Sequence, residues 1–224
     1  MAKTSAAAAL SRETVTSRAL SLADTEGLAA VTIRRLGQEF GVTPMALYWH
    51  FQNKEELLDA MGDALFDSVA TRADDGPWHQ QLRALFDDIA VALREHPGSA
   101  TLAFRRIMAC PAGQALTENA LRILAEAGFP TRVAANLASQ GLMTIVALVA
   151  NEPGTQPGLD GVDLEAHLAE KRARVRTLPA DRFPHVLAAL DDLLDCDDPD
   201  EFYAFSLDLF IAGAQAMQRK LVPV

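Results

Sequence analysis

The sequence predicts an all-α protein, with a small three-helix head built around a helix-turn-helix and a larger helical body. Three observations predict it. Apolar residues recur at three-to-four spacing along almost the whole chain, and no stretch alternates as a half-buried strand would. Capping residues and breakers punctuate those stretches: Ser11, Thr32, Thr43 and Asn53 stand before them, and Gly27, Gly41, Pro97-Gly98 and Gly128 after them. The charge also changes sign along the chain. Residues 1–54 sum to +2 and the remainder to −12, within a total of −10 over 224 residues. A basic-leaning end can meet a polyanion while an acidic remainder keeps the molecule soluble.

Residues 1–10, with a run of four alanines before Leu10, read as a flexible tail without the apolar core of a leader. Residues 11–54 form the head and 55–224 the body. Ser11 caps a first helix that carries Val15, Ala19, Leu22 and Ala23 on one face and stops at Gly27. Thr32 caps a short second helix over 33–40, broken by Gly41. Thr43 then stands where an N-cap belongs, with Pro44 at the first helical position, where a missing N–H costs nothing. Asn53 opens a fourth helix, with Glu56 three residues on to reciprocate the cap, and Leu57, Leu58, Met61, Leu65 and Val69 on its apolar stripe. After a loop at Asp74-Asp75-Gly76-Pro77, helices are expected over 79–96, 101–109, 112–127 and 131–149. A breaker-rich loop over 151–161 follows, with two prolines and three glycines. It is the candidate mobile segment. A charged helix over 163–176 and a short one over 185–194 precede Asp198-Pro199-Asp200-Glu201, which opens a last helix to about Lys220.

Several functions find no support in these residues. The longest apolar stretch, near 141–150, is too short to cross a bilayer, so no membrane partner and a cytoplasmic location are expected. Cys110 and Cys196 are the two cysteines, and they fit neither a disulfide framework nor a metal pattern. His96, His167 and His185 lack a ligand spacing such as HxxxH, so no metal and no cofactor is expected. The acidic run around Asp191-Asp192 and Asp195-Cys196-Asp197-Asp198 lacks a calcium-loop pattern and reads as a solvated turn. His79 with Asp87 and Asp88 lies on a plain amphipathic helix without a nucleophile, which leaves an enzyme as a remote alternative.

Two short helices joined by a tight turn can place the second in a DNA major groove, but they also occur as ordinary helical corners. Spacing alone leaves both open. The surface chemistry favours DNA: Thr43, Tyr48, His50 and Lys54 supply hydroxyl, imidazole and ammonium groups, and the helix starts at Thr32 and Thr43 add backbone donors for phosphate. Leu36, Phe40, Leu47 and Phe51 have the spacing of an inner face. Trp49 reads as core, Tyr48 as a phosphate contact, and Arg35 as a solvated charge.

The stretch Val31-Thr32-Ile33-Arg34-Arg35-Leu36-Gly37-Gln38-Glu39-Phe40-Gly41-Val42-Thr43, with Leu47-Tyr48-Trp49-His50-Phe51 and Asn53-Lys54-Glu55-Glu56-Leu57-Leu58, resembles the DNA-binding domain of the TetR family. The resemblance implies a dimeric, ligand-responsive regulator of transcription on double-stranded operator DNA, with repression as the first reading and activation or ligand-independent binding the alternatives. It implies that Arg34 reads a base or phosphate, that Tyr48 and Lys54 hold the backbone, and that Thr43, Pro44 and Met45 with His50 line the groove. Pro44 and Met45 point to apolar readout, for instance of a thymine methyl. Arg94-Glu95-His96-Pro97 and Ala125-Glu126-Ala127-Gly128-Phe129 resemble the tetracycline-repressor subgroup. That subgroup holds magnesium with histidines, the first soon after the connecting helix, where Val69-Ala70-Thr71 offers none.

In the body, Phe86, Ile89, Phe104, Met108, Met143 and Val146 are the candidate lining for a small apolar effector. The helices near 131–149 and 199–220 are the candidate homodimer seam, the second carrying Phe202, Phe205, Leu209, Ile211 and the small run Ala212-Gly213-Ala214.

Overall fold

The computed structural model describes residues 10–69, 76–152, 164–194 and 198–221. The tail before Leu10, most of the loop before Gly76, nearly all of the 151–161 loop and the centre of the acidic run at 195–197 lie outside the described residues. All regular elements among the described residues are helical. They are α1 (Arg12–Glu26), α2 (Ile33–Phe40), α3 (Pro44–Tyr48), α4 (Lys54–Asp67), α5 (Trp78–Glu95), α6 (Ala103–Arg106), α7 (Pro111–Glu126), α8 (Thr131–Ala150), α9 (Leu164–Arg176), α10 (Pro184–Ala188), α11 (Leu190–Leu194) and α12 (Pro199–Leu221). A 3-10 segment, Pro97–Leu102, leads into α6.

The helices begin where their capping chemistry predicts. Ser11 accepts from the Thr14 amide while Thr14 Oγ1 accepts from the Ser11 amide, closing both ends of a capping box. Thr32 accepts from the Arg35 amide at 3.1 Å, and Asn53 from the Glu56 amide at 2.9 Å. Glu56 does not reciprocate to Asn53 as expected; its carboxylate takes the Gln52 amide at 2.7 Å and Arg12 at 2.7 Å instead. Asp198 caps α12 through the amides of Asp200 and Glu201. The stretch expected as one helix over 101–109 is the 3-10 segment followed by the single turn of α6, and the one expected over 185–194 divides into α10 and α11.

The body core forms where α5, α7 and α8 pack on one another and on the 3-10 segment. Leu82, Leu93, Leu124 and Ile145 are fully buried there. By length and composition alone α8 could cross a membrane. Its apolar character is longer than the ten-residue stretch read from sequence, because Asn136, Ser139 and Gln140 interrupt the run but not the helix. Ala134, Leu137, Gly141, Ile145, Val146 and Val149 nevertheless turn into the protein core. Helix α12 lies against α5 and α8, fixed by Tyr203 Oη donating to Asp87 at 2.9 Å, Trp78 Nε1 donating to Gln218 at 3.0 Å and an Arg83–Asp208 ion pair. Helices α9 and α10 pack on α11, where Arg172 and Arg176 share Asp191.

Head and body are closely joined. Asp24 at the end of α1 accepts from the Gly98 amide at 3.0 Å and meets His96 Nδ1 at 2.7 Å. Read from sequence as a simple helix stop, Gly98 has a second role. A Cβ there would stand 2.3 Å from the Ala23 carbonyl oxygen, so only glycine lets the 3-10 segment approach α1 this closely.

Candidate nucleic-acid interface and effector cavity

Two local choices build the head. Gly41 adopts φ +65° and ψ 28°, a left-handed conformation suited to glycine, and turns the chain so that Val42 N donates to Gly37 O at 2.9 Å. Pro44 then starts α3 immediately. Leu36, Leu47 and Phe51 are fully buried between the helices, and Phe40 is half-buried. Burying Leu47 fixes the roll of α3. It directs Thr43, Pro44, Met45, Tyr48 and Trp49 outward, with His50 half-buried beside them. Trp49 corrects the core reading: it is 87% exposed, because Phe51 two residues on takes the inward place.

Charge is divided unevenly across this surface. Arg12 pairs with Glu56, donates to the His50 carbonyl at 2.7 Å and lies over the Phe51 ring, tying α1 to the end of α3. The Gln52 amide, then Arg12, hold the Glu56 carboxyl below its ordinary pKa. Arg18 pairs with Glu39, and Arg35 with Glu26 and Glu39, so Arg35 is an internal clamp and not a solvated charge. Arg34 is exposed and has no ion pair among the described residues. Thr32 is half-buried, with its hydroxyl engaged in the α2 cap, and Lys54 Nζ reaches the Leu28 carbonyl at 3.4 Å.

In the body, α5, α7, α8 and the chain just after α6 surround a cavity of about 260 Å³. Leu85, Phe86 and Ile89 form the α5 wall, and Ile107 and Met108 cover it from the end of α6. Leu116, Thr117, Ala120 and Leu121 come from α7, and Ala135, Ala138, Ser139 and Leu142 from α8. Three residues expected from sequence, Phe86, Ile89 and Met108, line it. The other three do not. Phe104 is exposed on α6, Met143 is 52% exposed on the outer side of α8, and Val146 is buried in the core away from the cavity. The sequence reading favoured large soft side chains. The signal that marks the space is the set of small residues at helical spacing, Ala135, Ala138 and Ser139, with Leu142 one turn beyond Ala138.

Immediately before Ile107 and Met108, two arginines grip α4. Arg105 pairs with Glu55 at 2.7 Å, and Arg106 with Asp63 at 2.5 Å and Asp59 at 3.2 Å. The Arg106 stem lies across Gly62. The hydrogen bond that Arg106 donates to Asp63 is the main influence keeping its guanidinium above its ordinary pKa.

Residues 15–61 match the profile of bacterial regulatory proteins of the tetR family, and residues 71–218 that of the tetracyclin repressor-like C-terminal domain. The chain belongs to the TetR family. It is 31% identical over 219 residues to the class A tetracycline repressor from transposon 1721 of Escherichia coli, covering 95% of this chain and 93% of that one. An HTH-type transcriptional regulator of Saccharopolyspora erythraea is 32% identical over 121 residues, 54% of this chain and 51% of that protein, so the match spans about half of that relative. Among solved structures, the Streptomyces coelicolor TetR family protein ActR in complex with actinorhodin superposes with a TM-score of 0.77 at 25% identity, over 94% of this chain and 99% of that one. The TetR assignment makes the chain a transcriptional regulator and not an enzyme, with the head as its DNA-binding unit.

Proposed function

We propose that two copies of the chain form a cytoplasmic repressor that grips a palindromic operator and lets go when a small apolar molecule enters the α5–α7–α8 cavity. Thr32, Arg34, Thr43, Pro44, Met45, Tyr48, His50 and Lys54 make the DNA contacts, and Trp49 joins them. The tetracycline repressor and ActR are relatives whose names carry repression and a bound small molecule, and both support this reading. Dimerisation uses the outer face of α12, where Phe202, Phe205 and Leu209 are each more than half exposed, with α8 alongside. Two heads so joined must meet half-sites about one helical turn, or a multiple of it, apart.

One observation carries the mechanism: the cavity cover and the grip on α4 are consecutive residues, 105–108. A ligand that displaces Ile107 and Met108 pulls Arg105 and Arg106 with them, and α4 moves against its acids. Helix α4 follows α3 after the short link 49–53, and Arg12 and Glu56 lock it to α1 and to the end of α3. Its displacement therefore re-spaces the heads, and operator affinity falls because only one spacing fits both half-sites.

The contacts are tested with Arg34→Ala and Tyr48→Phe in the full chain, measuring operator affinity by fluorescence anisotropy and melting temperature by calorimetry. Loss of a base- or phosphate-reading arginine costs about 1–3 kcal/mol per site. Arg34→Ala is expected to weaken binding at least tenfold, and Tyr48→Phe by less, with both melting temperatures unchanged. Normal affinity in either variant removes that residue from the interface.

A further inference from the structure

We infer that the cavity selects an uncharged ligand of one or two rings, bound without a metal ion and oriented by the hydroxyls of Thr117 and Ser139. The inference rests on the reading of this cavity as the effector site and names the chemistry it accepts. Of the thirteen described residues that line it, eleven present only apolar side chains, and the two others are Thr117 and Ser139. Among the described residues, no carboxylate, imidazole, thiol or cationic group lines it. An ionised ligand would leave water for a wall that offers no counter-charge, which is costly. A metal chelate would find no protein ligand there, and among the described residues no group of three His, Cys, Asp or Glu gathers anywhere. The name of the tetracycline repressor relatives therefore does not carry tetracycline to this cavity.

The two hydroxyls are not equivalent. Thr117 Oγ1 donates to the Gly113 carbonyl at 2.9 Å, so its proton is committed and it offers the cavity only an acceptor. The Ser139 hydroxyl makes no hydrogen bond among the described residues and can donate or accept. A ligand with a hydroxyl or amide N–H fits Thr117, and either kind of polar group fits Ser139. The volume, about 260 Å³, falls just below the span of about 300–1,000 Å³ that houses drug-sized molecules, which favours one or two rings over four fused ones.

Calorimetric titration of the full chain with four probes tests the inference: 2-naphthol, naphthalene, 2-naphthoate, and tetracycline with magnesium chloride. Operator release is followed in parallel by anisotropy. 2-Naphthol is expected to bind saturably, naphthalene more weakly, and 2-naphthoate and magnesium–tetracycline not at all. Ser139→Ala should weaken 2-naphthol about three- to tenfold, the value of one hydrogen bond, and leave naphthalene unchanged. Ala138→Trp should abolish 2-naphthol binding by filling the space. Binding of 2-naphthoate or of magnesium–tetracycline with an affinity equal to that of 2-naphthol overturns the inference, as does failure of 2-naphthol to bind. If 2-naphthol binds but leaves the operator occupied, the ligand class is upheld and the proposed release mechanism is overturned.

Discussion

Arg106→Met separates the energetic and the signalling roles of the α6 grip. Methionine retains a flexible apolar stem across Gly62 and removes the guanidinium that meets Asp63 at 2.5 and 3.1 Å and Asp59 at 3.2 Å. Charge-assisted hydrogen bonds contribute about 1.5–3 kcal/mol when shielded from water. Asp59 and Asp63 are 37% and 38% exposed, so both carboxylates stay hydrated once the arginine is gone and the loss is smaller, about 1–2 kcal/mol. At about 2–4 °C per kcal/mol for a chain of this size, melting should fall by about 2–8 °C in differential scanning calorimetry. The effector should still bind, because Ile107 and Met108 remain, but the fold-change it causes in operator affinity should shrink at least severalfold. An unchanged melting temperature would refute the estimate of the ion pairs. Full effector-driven release in the variant would refute the route from α6 to α4.

Gly98→Ala places a Cβ 2.3 Å from the Ala23 carbonyl oxygen, a backbone atom with no side-chain freedom to yield. Overpacking of this kind costs about 1–3 kcal/mol, and calorimetry should show the lower melting temperature together with weaker operator binding as the head is pushed off its seat. Leu209→Asp, on an exposed turn of α12 beside Phe205, should convert the dimer to monomer in sedimentation velocity and abolish tight operator binding without unfolding the head. A dimer that persists would move the seam elsewhere.

The parts of the fold that depend on local chemistry were legible in the sequence. Ser11, Thr32, Asn53 and Asp198 accept amide hydrogen bonds where capping rules put them, and Gly41 turns the chain between α2 and α3 as a breaker should. The parts that depend on tertiary placement were not. Trp49 and Phe51 are both aromatic and two residues apart, and only the roll of α3 decides that Phe51 goes in and Trp49 out. The head's charges likewise gave no hint that Glu26 and Glu39 would engage Arg35 and leave Arg34 free for another partner. In the cavity, a wall made by absent volume at Ala135 and Ala138 leaves a fainter mark than one made by large side chains, so Met143 and Phe104 drew notice that belonged to Ser139 and Leu142.

In the proposed function the chain, as a pair, grips two matched half-sites through α3. Nuclease footprinting of the full chain on the DNA flanking its gene, at moderate salt and with Arg34→Ala in parallel, tests it most directly. One protected palindrome is expected, its half-site centres about one helical turn, or a multiple of it, apart, with protection lost in the variant. Protection of a single unpaired site, an unprotected flank, or a footprint that Arg34→Ala leaves intact would contradict it.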